Sequence, residues 1–112
     1  MRPDERRLLD ILACAAELQT YLTGKDEDDF VDDRLLQRAV ERLLTIVGEA
    51  AKHVSQETRG AIPQPWREII RFRDRGIHGY DSLTPHSLFK IATESLPALR
   101  SAIEAFLAKK RP

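Results

Sequence analysis

The chain has 112 residues, of which 42% are hydrophobic and 32% charged, and its 18 basic and 18 acidic residues cancel to a formal net charge of zero. That length suits one domain with one core, so residues 1–112 are expected to form a single unit. Zero net charge excludes a long-range field that would draw the molecule onto nucleic acid indiscriminately, so any RNA or DNA contact must be local. A single cysteine excludes an internal disulfide and a cysteine metal cluster.

From Asp4 to Thr23, the residues Leu8, Leu12, Ala15, Leu18 and Leu22 recur every three or four positions, which predicts a first helix stopped by Gly24. Over 24–32, Asp26, Glu27, Asp28 and Asp29 lead into Asp32 and Asp33. Carboxylates stabilise a helix N-terminus, so this run is expected to start a helix, with a short extra turn inside it, more than to hold a cation. The series Leu36, Val40, Leu43, Val47, Ala50, Val54 then predicts a long helix over 33–55. Gly60, Pro63 and Pro65 interrupt the pattern, and a third helix begins near Pro65 or Trp66 with Trp66, Ile69 and Ile70 inward. It weakens at Gly76 and Gly79. Thr84 and Pro85 read as cap and first turn of a fourth helix, whose stripe is Leu88, Ile91, Leu99, Ile103 and Phe106 and which Pro97 should kink. With no period-two alternation, the expected class is all-α: an up-and-down four-helix bundle with room for a short fifth helix. No apolar run approaches a membrane span, and the opening MRPDERRLLDIL lacks a secretory signal's apolar core, so a cytoplasmic location is expected.

Chemistry concentrates in one stretch, IIRFRDRGIHGYDS. Arg59, Arg67, Arg71, Arg73 and Arg75 crowd together with only Glu68 and Asp74 among them, and arginine's planar fork suits phosphate. RNA cleavage by transesterification needs a group to move a proton at the 2′-OH or the leaving oxygen, and a cation for the phosphorane. His78 and Arg73 supply that pair. Their five-residue separation places them roughly 140° apart on a regular helix. Either Gly76 distorts the segment, or two copies pool their residues across a twofold axis; the dimer is preferred. The other two histidines, His53 and His86, read as solvated surface residues, Cys14 as a small buried residue and Trp66 as core. Glu49 could reach a cleft and pair with Arg73, although a surface pair with Lys52 is the plainer reading. Ser55 and Ser82 lack an identifiable base, and no metal spacing or phosphate loop is present.

Arg73, four residues, His78, one residue and Tyr80, written RDRGIHGY, resembles the RxxxxHxY signature of HepT-type toxins in the HEPN superfamily. RLLDILACAAELQTYLTG, IVGEAAKHVS and PWREIIRFRD resemble corresponding stretches of that family, so the likeness spans nearly the whole chain in order. It implies a HEPN-like bundle of four to five helices, a homodimer, and an endoribonuclease that needs no metal or cofactor, with Arg73 and His78 catalytic at the interface. It also implies an MntA-like nucleotidyltransferase antitoxin that transfers AMP to Tyr80. Asp74 departs from the Asn or other polar residue common there: it could orient Arg73 or His78, or repel the scissile phosphate and mark an inactive relative. Arg71 and Arg75 are candidate RNA contacts. Unmodified Tyr80 could stack on a base or pack at a subunit interface. The rival reading is a non-catalytic helical module that binds the nucleotidyltransferase or a nucleotide.

Overall fold

The computed structural model describes residues 3–71 and 84–110. Among them the only regular structure is helix: α1 (Pro3–Leu22), α2 (Glu27–Val31), α3 (Arg34–Lys52), α4 (Gln56–Ala61), α5 (described over 66–71), α6 (Pro85–Lys90) and α7 (Leu96–Lys110), the last two joined through a π-helical turn, Ile91–Ser95. Asp4 meets Ser55 at one end of α1, and Gln19 meets Arg100 near the other. Helices α3 and α7 therefore both run antiparallel to α1, as in an up-and-down bundle. No helix among the described residues is long and apolar enough to cross a membrane.

Helix α1 buries Leu8, Ile11, Cys14, Ala15 and Leu18. Ile11 takes the place expected for Leu12, which is only half-buried with Leu22. Spacings of three, four and three keep one face inward. The helix stops as expected: Gly24 stands at φ +77, a left-handed conformation that costs glycine nothing.

The acidic run caps two helices. Asp26 accepts from Asp29 N at 2.8 Å while Asp29 accepts from Asp26 N at 3.1 Å, a reciprocal capping box that starts α2. Asp33 accepts from Leu36 N at 3.0 Å and starts α3. Gln37 closes the corner by donating to the Phe30 and Val31 carbonyls. Phe30, fully buried, is what fastens α2 to the core, with its ring 5.5 Å from that of Phe89 on α6. Burying such a side chain stabilises by about 1.5–3 kcal/mol, against about 0–1 kcal/mol for the exposed Glu27–His86 pair across the same junction.

The structure corrects two expectations. The long helix ends at Lys52, not Ser55, and a separate α4 follows where only an interruption was read. Cap chemistry decides this. Ser55 accepts from Thr58 N, and both Ser55 and Thr58 donate their hydroxyls to Asp4 at 2.6 Å, so the start of α4 is tied to the first turn of α1. The second correction lies in the last stripe, whose buried members are Leu88, Ala92, Leu96, Leu99 and Ile103, with Ile91 and Phe106 at its margin. Pro97 has no N–H and its ring crowds the carbonyl four residues back, and the helix widens just before it: Leu96 N donates to Ile91 O. A wider turn keeps residues spaced by four in phase, so Ala92 and Leu96 replace Ile91 on the inner face.

Candidate active site

The stretch that carries the expected chemistry joins α5 to α6. Of its candidate residues, Arg71 is the one the structure describes, exposed at the last described position of α5. Arg73, Asp74, Arg75, His78 and Tyr80 lie outside the described residues, as does Ser82. What can be built is the frame on either side of them.

On the entry side, Trp66 and Ile69 are buried and Ile70 packs against the core. The Trp66 indole N–H, buried with its ring, donates to Ile62 O at 2.8 Å and Arg59 O at 3.2 Å. The tryptophan is core, as expected, and these two bonds fix the first turn of α5 against the end of α4. Glu68 reaches across to accept from Ser95 Oγ in the π-helical turn at 3.2 Å. On the exit side, Thr84 accepts from Ser87 N at 3.1 Å, which makes it the expected cap. His86 then meets Glu27 at 2.9 Å, and Leu88 drops into the core. Both ends of the motif-bearing stretch are thus anchored to helices whose inner faces belong to one apolar cluster.

His53, His86, Cys14 and Ser55 take ordinary places, and the expected pairing of Glu49 with Arg73 lies outside the described residues. His53 is exposed and pairs with Glu49 at 3.2 Å, one turn back on the same helix. His86 is likewise exposed. Burial, then the neighbouring Glu17 and Asp10, pushes the Cys14 thiol above its ordinary pKa, so it is poorly suited to act as a nucleophile. Ser55 does have a carboxylate beside it, which spacing did not reveal. Asp4, 51 residues away, accepts its hydroxyl, and with no imidazole in that cluster the arrangement is a cap. The Ser55 and Thr58 hydroxyls hold the Asp4 carboxyl below its usual range. Among the described residues no group of three or more His, Cys, Asp or Glu side chains is arranged to hold a metal ion.

Among the described residues, two of the grooves that border α1 are the more voluminous. One of about 630 Å³ is lined by Asp4, Leu8, Ser55, Phe106 and Lys110, the lysine standing 5.0 Å above the Phe106 ring. Another, of about 410 Å³, is lined by Gln19, Leu96, Pro97 and Arg100 beside the π-helical turn. Neither combines an imidazole with an arginine.

Comparison with known proteins bears on the fold and on the motif-bearing stretch together. Residues 11–106 match the family model described as "Ribonuclease HepT-like". The chain is 35% identical to "Probable ribonuclease HepT" of Thermococcus cleftensis, over 93% of this chain and 96% of that protein. It is 31% identical to "Putative RNase MJ1380" of Methanocaldococcus jannaschii, over 87% of this chain and 90% of that protein. No solved structure matches. With its all-α bundle and a match across most of its length, the chain belongs to the HepT-like ribonuclease family, and ribonuclease is its enzyme class.

Proposed function

We propose that the chain is the ribonuclease toxin of a toxin–antitoxin pair, a single HEPN-like domain over 1–112 that acts as a cytoplasmic homodimer and cleaves RNA internally. The observation that carries this reading is the sequence Arg73, His78, Tyr80 at RxxxxHxY spacing, within the span 11–106 that matches the family. The ribose 2′ oxygen bonds to phosphorus as the P–O5′ bond breaks. His78 takes the 2′ proton or supplies one to the departing O5′, and Arg73 holds the charge that gathers on the phosphoryl oxygens. These steps ask for no metal, so EDTA should leave the rate unchanged. Two copies facing across a twofold axis would bring both residue types, and the flanking Arg71 and Arg75, to one groove. Asp74 either orients Arg73 or His78 or repels the phosphate; in the second case Asp74→Asn raises activity.

The reading includes a partner, an MntA-like nucleotidyltransferase antitoxin. Tyr80 Oη attacks the α-phosphorus of ATP, the new O–P bond replaces the bond to pyrophosphate, and pyrophosphate leaves. AMP two residues from His78 adds bulk and negative charge where RNA must enter, which would silence the enzyme. Coexpression with such a nucleotidyltransferase tests this by intact mass and an RNA assay on the same sample. One AMP per chain, absent in Tyr80→Phe, together with loss of RNA fragments supports the reading. Modification elsewhere, or fragments undiminished by it, overturns the regulatory part. Tight nucleotidyltransferase or nucleotide binding by an unmodified chain that never produces fragments would favour the non-catalytic module.

A further inference from the structure

Helix α5 carries two exposed arginines, Arg67 and Arg71, four residues apart. At 3.6 residues per turn they stand roughly 40° apart around the axis and about 6 Å apart along it, on one flank of a helix whose other side is Trp66 and Ile69 in the core. Arg67 has no acidic neighbour one turn away in sequence: those positions hold Pro63, Gln64, Ile70 and Arg71. Glu68 is the one described acid on α5, three residues from Arg71, a spacing that permits a pair. Its carboxylate instead accepts from Ser95 Oγ, and no described carboxylate lies within 4 Å of either arginine. Half-buried Arg59 lies on α4 just before α5, its carbonyl bonded to the Trp66 indole and its buried Nε without an acceptor among the described residues.

Helix α3 shows that this is not how the chain treats every arginine series. Arg34, Arg38 and Arg42 have the same four-residue spacing, but Arg38 Nη1 reaches both oxygens of Glu41 at 3.0 Å, and Arg42 lines a groove with Asp10 and Glu49. On α5, directly before the stretch that holds the proposed catalytic pair, Arg67 and Arg71 stand exposed one turn apart while their local acid, Glu68, bonds to Ser95.

We propose that Arg67 is a substrate-binding residue, and that the RNA backbone runs along the outer flank of α5 past Arg71 to Arg67. This rests on the ribonuclease reading and extends it: the enzyme takes a single strand long enough to cover a helical turn beyond the scissile linkage. Arg67 touches no reacting atom, so its loss raises KM and leaves kcat unchanged on a long strand. A dinucleotide, too short to reach it, is cut equally well with or without it.

The test is the salt dependence of binding to a single-stranded 2′-O-methyl RNA, which lacks the attacking hydroxyl. Each phosphate contact on a single strand contributes about 0.7 to the slope of log affinity against log salt. Arg67→Ala should lower that slope by about 0.7, Arg67→Lys should retain it, and Arg38→Ala on α3 should not change it. Cleavage of a long RNA and of a dinucleotide by the wild type and by Arg67→Ala is measured alongside. An unchanged slope in Arg67→Ala, or no RNA binding by the wild type, overturns the proposal. If the wild type cuts RNA through His78 and the Arg67→Ala slope does not move, this inference fails while the ribonuclease reading stands. If the slope falls but nothing is cut, the track along α5 stands and the catalytic reading fails.

Discussion

The acidic run at α2 and the arginine-rich α5 look alike in sequence, each a crowd of one sign of charge, yet the fold uses them in opposite ways. At α2 three of the carboxylates bond to backbone, with Asp26 and Asp29 capping each other's amides and Asp33 capping α3, while Glu27 meets the His86 side chain. At α5 no described backbone group or carboxylate takes up Arg67 or Arg71. Charge bonded to the chain's own backbone holds the fold; charge left without a partner on a rigid helix is available to a ligand. Substitutions in the first region should therefore move stability and not RNA binding, and substitutions in the second the reverse.

The largest expected effect is at Phe30, the one buried side chain of α2. Phe30→Ala should cost about 3–5 kcal/mol in denaturant unfolding by emptying the contact with Phe89 and leaving a cavity. A loss below 1 kcal/mol would show that α2 is held by its charges instead. The double variant Arg67→Ala, Arg71→Ala comes next. It should lower the salt slope of RNA binding by about 1.4, twice the single-contact value, while melting within about 0.5 kcal/mol of the wild type. Asp33→Ala should destabilise by about 1 kcal/mol through loss of the α3 cap, with RNA affinity unchanged. A clear drop in affinity from that variant would erase the contrast between the two regions.

The smallest effect concerns pH. The folded-state pKa of Asp4 is lowered by its bonds to Ser55 and Thr58. A depressed carboxylate contributes stability that is present above its unfolded value, about 3.9, and is lost as pH falls through the folded value. Asp4→Asn should flatten the acid limb of the stability curve in that window and leave the curve near neutrality parallel to the wild type. An acid limb as steep as before would assign the acid sensitivity to other carboxylates.

The sequence and the fold agree where apolar spacing is regular and part company where caps or proline intervene. Leu8, Ala15 and Leu18 on α1 and the Val40-to-Val47 seam on α3 are legible because period and burial coincide. Helix α4 was not legible, because it buries no side chain of its own and depends on Asp4, a residue distant in sequence that no local pattern points to. The inner face of the last helix was misread at Ile91, because periodicity assumes 3.6 residues per turn and Pro97 forces a wider one just ahead of it. Around the candidate site the cap at Thr84 is legible, whereas the roles of Arg71, Arg73, Asp74, Arg75, His78 and Tyr80 are readings of sequence and resemblance. In sequence Arg67 is one of a crowd of five arginines. Its distinction is that Glu68 turns to Ser95, which needs the contact between α5 and the π-helical turn to be visible.

One measurement bears most directly on the ribonuclease reading: fragmentation of a single-stranded RNA by the purified wild type and by His78→Ala, each with and without EDTA, with helicity recorded for both. The account predicts fragments from the wild type that EDTA does not reduce, and a rate at least about 100-fold lower from an equally helical His78→Ala, the loss of one general acid or base. Cleavage by His78→Ala at the wild-type rate would contradict it.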